Sequence, residues 1–394
     1  MGRTSIPGQA AAAAVRPLPT TRQPRRGRRP RWRGGLWLII LCLGAIVIIL
    51  VALLRPTARP PMLAVAALPY WNLTGGSGVV LANRQDFNEV SPWMYGLARD
   101  GSIVVQYPPA ESARLNASLR ELRTAGMPIV PTLANVTNGS FSYEPVAAIL
   151  HDPAVMARHI ADITDLVRHG DYAGIDIDYE NLRAGDRDAF TTFVTRLADA
   201  LHAHGKTLSV AVFAKSTDAG YDERNVAQDY AAIGAVADEV RLMAYDYHWS
   251  TSPPGPVAPI GWVRDVLAYA TTQIPADKLL LGVSLSGYDW ANGRGETVSW
   301  LQCFGRARQY QVPVAYDVTA QAPWFRYVDS TGRAHEVWFE NAESATAKFA
   351  AARGAGIRGV FLWMFGAEDE RVWSALHEAL PVQPLDDGGE GAHR

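Results

Sequence analysis

Ala173-Gly174-Ile175-Asp176-Ile177-Asp178-Tyr179-Glu180 is the stretch on which the fold turns. A short, mostly apolar run following Gly170 reads as a strand, and strand side chains alternate between two faces. Asp176, Asp178 and Glu180 therefore share one face, spaced roughly 6.5–7 Å along the chain. Ile175, Ile177 and Tyr179 share the other. The apolar face needs an outer layer to pack against. Three carboxyls on the opposite face are costly to enclose unless they share protons or meet cations. In a closed barrel the apolar face packs against outer helices and the carboxyl face points inward. Such a barrel also puts Glu180 at the C-terminal end of its strand, where barrel enzymes carry their chemistry. A solvated acidic strand end explains the pattern less well, because the carboxyls fall in one register on an otherwise apolar strand. A divalent-metal site would need further ligands. Asp246 and His248, near the sixth strand, keep that reading open.

Working outward, strand-like runs at 62–68, 90–95, 127–133, 173–179, 207–213, 239–245, 279–285 and 358–364 alternate with helix-like segments. Asp152-Pro153 is an N-cap followed by a first-turn proline, and Gly170 stands where that helix should stop. The segment 186–204 repeats Phe190, Phe193, Leu197 and Leu201 before Gly205. Eight such units in about 320 residues predict a (β/α)8 TIM barrel. A doubly wound sheet is the alternative, but Gly75-Gly76-Ser77-Gly78 lacks the spacing of a phosphate-cradling loop. Between the seventh and eighth strands, an insertion at about 290–340 holds 324–328, a turn through Gly332, and 336–339. It reads as a small β-containing lobe that walls one side of the site.

The ends read differently from the middle. The chain has 394 residues and a net charge of −2, but 1–34 carries arginines from Arg3 to Arg33 and no acidic residue. That stretch reads as a disordered cytoplasmic tail. The apolar segment 35–54 is about 20 residues long, enough to span a bilayer core of roughly 30 Å as one transmembrane helix. A cleaved signal is the alternative. Its best small-residue site, Ala64-Val65-Ala66, falls inside the first strand. The positive-inside rule puts the arginines in the cytoplasm and the rest outside the cell. A linker at 55–61 leads to the barrel at 62–380, and 382–394 is a polar tail expected to be disordered. The arginines lack a folded scaffold, so nucleic acid is not expected as a partner. Cys42 and Cys303 are too differently placed for an intramolecular disulfide.

The motifs, taken together, resemble glycoside hydrolase family 18, the chitinase-like enzymes. Gly174 to Glu180 is similar to the D-G-x-D-x-D-x-E signature. Leu208-Ser209-Val210-Ala211-Val212 is similar to the family's fifth strand, Met243-Ala244-Tyr245-Asp246-Tyr247 to the M-x-Y-D stretch of the sixth, and Gly282 to Trp290 to the seventh. Trp363 stands where an eighth-strand tryptophan floors the sugar site. Val257-Ala258-Pro259-Ile260 with Trp262, Gly287-Tyr288-Asp289-Trp290 and Val337-Trp338-Phe339-Glu340 resemble the spore-cortex, peptidoglycan-directed N-acetylglucosaminidase branch. Two positions depart from the pattern. Ala173 replaces the first aspartate, on the face opposite Glu180, and Ser286 stands where that branch often has a tyrosine.

The resemblance implies hydrolysis of β-1,4 bonds next to N-acetylglucosamine in peptidoglycan or chitin-like glycans. The mechanism would be retaining and substrate-assisted, with no protein nucleophile, no cofactor and no metal. Glu180 would be the acid and base, Asp178 would hold the acetamido N–H, and Asp176 would share a proton with Asp178. Tyr245 would bind the acetamido carbonyl, Asp246 would support the sugar, and Trp363 would stack on it. Met243 and Tyr247 flank these positions as substrate contacts. Trp93 and Tyr95 share parity at the end of the second strand and are candidate sugar contacts too. A non-catalytic lectin or wall-sensing ectodomain on the same barrel is the alternative, although lectin members typically lose the glutamate.

Overall fold

The computed structural model describes residues 62–363 and 366–379. The basic tail, the apolar segment 35–54, the linker and the tail at 382–394 lie outside the described residues. Among those described, no helix is long and apolar enough to cross a membrane.

Eight parallel strands form the centre: β1 (Leu63–Pro69), β2 (Glu89–Leu97), β3 (Thr132–Ala134), β4 (Gly174–Asp178), β5 (Thr207–Phe213), β6 (Glu239–Met243), β7 (Leu279–Ser284) and β8 (Gly359–Trp363). Each pairs with the next in chain order, and β8 closes on β1, from Leu63 opposite Gly359 to Ala67 opposite Trp363. Closure excludes the doubly wound sheet, which keeps two open edges. The result is a (β/α)8 barrel.

Helix signals in the sequence act as expected. The Asp152 carboxylate accepts from the N–H groups of Ala154 (2.8 Å) and Val155 (3.2 Å), starting the helix Pro153–His169. Its buried stripe is Met156, Ile160, Ile163 and Val167, at helical spacing. The helix Arg187–His202 buries Phe190, Phe193, Leu197 and Leu201. Phe193 stacks on Tyr179 at 5.6 Å, so this helix backs the apolar face of β4. Ile175 and Ile177 on that face are fully buried. Each contributes about 1.5–3 kcal/mol by leaving water.

Some boundaries moved, for identifiable reasons. β3 is three residues long, not seven, because Pro128 and Pro131 have no N–H to give a ladder. Upstream of it, one isolated bridge joins Val90 to Ile129. β6 ends at Met243 because the chain turns sharply at Asp246, whose φ is 57°. A register shift between Trp93 and Tyr95 breaks the alternation of β2. The expectation that these two rings share a face is therefore overturned. Tyr95 turns to the helix side, where its hydroxyl lies 2.8 Å from that of Tyr172 in the buried core.

The insertion begins earlier than expected, at Ser286. It is a five-stranded antiparallel sheet of 286–291, 294–299, 315–317, 322–328 and 334–339, packed on the helix Trp300–Gln309. The hairpin 322–328/334–339 turns through Gly332 (φ 83°), as the sequence suggested. Ser286 hydrogen-bonds its own neighbour Ser284 (3.0 Å).

Candidate active site

The carboxyl row of β4 points into the barrel. Asp176 and Asp178 are buried; Glu180, two residues past the last hydrogen-bonded pair, is half-buried. The cation that such a row requires comes from β6. Arg241 is almost fully buried, and its Nη1 lies 3.5 Å from Asp176. The same guanidinium pairs with Glu89 and, at 3.4 Å, with Glu239. Burial, then the Glu239 charge, pushes Glu89 up to about 8 against the opposing pull of Arg241.

Each aspartate accepts one hydrogen bond. Thr132 Oγ1 donates to Asp176 (3.0 Å), and the Trp93 indole N–H donates to Asp178 (3.0 Å). The other oxygen of each is buried with no hydrogen-bond partner in the described residues. The two carboxyls thus share no hydrogen bond, contrary to the proton-sharing expected. Their coupling is through charge. Burial pushes Asp178 up to about 7, with the Asp176 charge adding to the rise and the Trp93 bond opposing it.

Glu180 is raised well above the ordinary carboxyl range. Burial is the main cause, the charges of Asp178 and Asp246 add to it, and Arg224 pulls the other way. That environment favours its neutral, proton-bearing form. Its backbone is fixed by Asn135, one residue past β3. The Asn135 carboxamide accepts from the Glu180 N–H (2.8 Å) and donates to the Glu180 carbonyl (2.7 Å). Asn181, immediately after, has a positive φ of 55°. Asp246, immediately after Tyr245, adopts the same left-handed conformation. Asn and Asp adopt that conformation more readily than other non-glycine residues.

Around Glu180 the barrel mouth opens into a cleft with two lobes. One, of about 490 Å³, is lined by Asp176, Asp178, Trp93, Trp363, Tyr70 and Trp71 among others. The other, of about 440 Å³, is lined by Phe213, Tyr221, Arg224, Tyr247 and Trp262 among others. Glu180, Met243, Tyr245, Asp246 and Trp249 line both. Tyr245 stands edge-on to Phe361 at 6.1 Å, and burial holds its hydroxyl well above the ordinary tyrosine range, so it remains a donor. Asp246 is open to the cleft. Even so, surrounding protein pushes its carboxyl up to about 6, against a hydrogen bond from Tyr288 of the insertion (3.1 Å).

Of the residues expected from sequence, the cleft gathers Asp176, Asp178, Glu180, Met243, Tyr245, Asp246, Tyr247, Trp93 and Trp363. Tyr95 is absent, for the reason given above. Sequence reading missed Asn135, Trp249, Tyr288 and Arg224 as site residues. Asn135 left one signal, an asparagine just past a strand end. Arg224 left none that points to the cleft: it sits in the short helix Glu223–Ala227, whose place over the barrel mouth depends on tertiary bracing.

A row of carboxyls between aromatic walls at the C-terminal mouth of a (β/α)8 barrel is the arrangement of barrel glycosidases. The chain belongs to that class through glycosyl hydrolases family 18, whose family model matches residues 93–368. It is 36% identical over 286 residues to the YdhD glycosylase of Bacillus subtilis, covering 70% of this chain and 65% of that one. It is 35% identical over 312 residues to the cortical fragment-lytic enzyme of the same species, covering 76% and 71%. The chain thus spans about two thirds of the length of these relatives. Among solved structures it resembles the spore cortex-lytic enzyme SleL of Bacillus megaterium QM B1551 (TM-score 0.74, 29% identity, 83% of this chain and 76% of that one). It also resembles a chitinase from Chromobacterium violaceum ATCC 12472 (TM-score 0.74, 29% identity, 81% and 98%).

Proposed function

We propose that this protein hydrolyses β-1,4 bonds next to N-acetylglucosamine in peptidoglycan or chitin-like glycans, with retention of configuration and without a protein nucleophile. One observation carries the reading: Glu180 lines both lobes of the cleft where they meet, directly beyond Asp178 on the same strand face. The lobe with Asp178 and Trp363 is the donor side, and the lobe beyond Glu180 receives the leaving sugar. Glu180 protonates the glycosidic oxygen, then takes a proton from water. The acetamido oxygen of the donor sugar attacks its own anomeric carbon and forms an oxazolinium ion. Asp178 accepts a hydrogen bond from the acetamido N–H and offsets the positive charge, and Asp176 strengthens that field. The Tyr245 hydroxyl donates to the acetamido carbonyl. Trp363 and Trp93 offer ring faces to the sugar, and Asp246, Met243 and Tyr247 shape the point where the lobes meet.

The basic 1–34 tail and apolar 35–54 segment support a single-pass membrane anchor, with an N-terminal tail in the cytoplasm and the barrel outside. Fractionation of full-length protein tests this; a processed, soluble form would refute it. Hydrolysis is tested by digesting chitin oligomers and purified peptidoglycan side by side, with products identified by mass and anomeric form by NMR. Absence of new reducing ends from both polymers would refute the enzymatic reading.

A further inference from the structure

Asp176 and Asp178 stand on one strand face, yet each is held by different neighbours. We infer that Arg241 is a positioning residue: it draws the Asp176 carboxylate onto the barrel floor, so that Asp178 meets the acetamido group without exchanging a proton with Asp176. The inference rests on the role proposed above for Asp178.

The barrel interior is divided. β1, β7 and β8 contribute Val65, Ala67, Leu280 and Phe361, a buried apolar cluster. The facing strands contribute charge. Arg241 of β6 reaches across them. Its Nη1 donates to Ser91 Oγ of β2 (2.6 Å) and lies 3.5 Å from Asp176 Oδ2. Its Nη2 meets Glu89 of β2 and, at 3.4 Å, Glu239 of β6. Glu239 also has the exposed Arg358 at 3.7 Å. One guanidinium thus ties β2, β4 and β6 together beneath the cleft. Ser91 donates in turn to the Val130 carbonyl (2.8 Å), and Thr132 donates to Asp176 (3.0 Å). Hydroxyls therefore fix both the cation and the carboxylate.

Two buried carboxyls side by side can lower their repulsion by sharing one proton. Asp176 has another remedy. A guanidinium stays charged at any pH where an enzyme works, so its compensation is not borrowed from Asp178. Asp178 has its own partner in the Trp93 indole, and no hydrogen bond among the described residues joins the two carboxyls. The other groups facing the pair do not replace Arg241. Glu180 and Glu89 are acidic, burial keeps the Tyr245 hydroxyl protonated, and Ser209 of β5, opposite Asp176, adds an uncharged hydroxyl. Among the described residues lining the donor lobe, Arg241 is the one cation. Arg224 lines the acceptor lobe, which receives the leaving sugar, and is bound to Asp222. The division leaves Asp178 to gain or lose its proton alone.

Two measurements test this. The first is a carboxyl 13C NMR titration of the wild-type enzyme, with resonances assigned by Asp176→Asn and Asp178→Asn. The Asp178 carboxyl should titrate in one step. Two steps shared by both aspartates would overturn the inference. The second is the pH profile of kcat/KM on a chitin oligomer. Asp178 must be ionised to offset the oxazolinium charge, so the acid limb follows it. Arg241→Gln should move that limb to higher pH by about one unit or more, the usual effect of losing a neighbouring cation. Arg241→Lys keeps the charge and should return the limb most of the way. A limb unmoved in Arg241→Gln, or moved equally in Arg241→Lys, would overturn the inference and mark the arginine as structural. The NMR titration needs no Arg241 variant, so it decides the inference even if those variants fail to fold. It needs no substrate either. Absence of wild-type turnover on both chitin oligomers and peptidoglycan would overturn the glycosidase reading, while the titration still judges Arg241.

Discussion

The two lobes of the cleft are built by different means. The donor lobe is made largely of strand ends. Asp176 and Asp178 lie on β4, Trp93 on β2 and Trp363 on β8, and their places follow from pleat and register. The acceptor lobe is made largely of loops. Tyr221, Asp222 and Arg224 are held by a buried lysine and an asparagine rather than by a ladder. The contrast teaches where chemistry and selectivity reside. A sheet fixes the carboxyls that must not move, and a braced segment outside the barrel sheet forms the opposite wall.

If that division holds, substitutions on the strand side should strike turnover. Glu180→Gln should have the largest effect, lowering kcat by about 10²–10⁴-fold, the usual worth of a general acid, while binding of oligosaccharide persists. Single-turnover assays and calorimetric titration separate the two; loss of binding equal to loss of turnover would break the comparison. Asn135→Ala comes next. It removes the clamp on both backbone groups of Glu180, and we expect kcat to fall on the order of tenfold with KM little changed, since small misplacement of a catalytic group is costly. Asn135→Asp should behave similarly, because a carboxylate can still accept from the Glu180 N–H but cannot donate to its carbonyl.

The same division explains what could be read in advance. Strand parity was enough to put Asp176, Asp178 and Glu180 on one inward face, because alternation on β4 is unbroken. It failed on β2, where the irregularity between Trp93 and Tyr95 sends the second ring outward. Pro92 and Gly96 flank that shift and were its local signal, since proline gives no ladder N–H and a strand glycine often marks a bulge. Arg241 could have been suspected as the cation beneath the carboxyl row, since β6 lies only two strands from β4 and the long arginine side chain can reach across the barrel interior. Arg224 and Asn135 could not be placed, because their positions depend on tertiary bracing. The insertion was recognised as a hairpin from Gly332 but begun too late, since Ser286–Ala291 continues the apolar pattern of β7 with a single residue, Leu285, between them.

Lys215→Met sharpens the comparison from the loop side. Its ammonium is buried against backbone carbonyls and lies 4.6 Å from the centre of the Tyr230 ring. Without it those carbonyls lose their donor and the acceptor wall loosens. We expect KM for substrates that fill both lobes to rise about three- to tenfold, with a smaller change in kcat, as fits the loss of uniform binding. Steady-state kinetics on a series of oligomer lengths measures this. A fall in kcat as large as that of Glu180→Gln would mean the wall also positions the acid.

The smallest expected effect concerns stability. Asp178 has a folded pKa of about 7 against the ordinary 3.8, raised chiefly by burial. Between those values the folded state holds a proton that the unfolded chain has released. Stability contributed by this group is therefore greatest below about pH 4 and is lost as pH rises towards 7. Above that, folding must bury a charged carboxylate. Asp178→Asn removes this cost while keeping the size of the side chain, although the amide must find its own partners. At pH 8 the variant should melt higher than wild type by about 1–2 °C, the shift that roughly 1 kcal/mol produces in a domain of about 300 residues. At pH 4 the difference should shrink or vanish. Thermal melts of both proteins across this range give the answer. A variant that is less stable at every pH would mean the carboxyl is held for packing, and that the strand side of the cleft stores no electrostatic strain for catalysis.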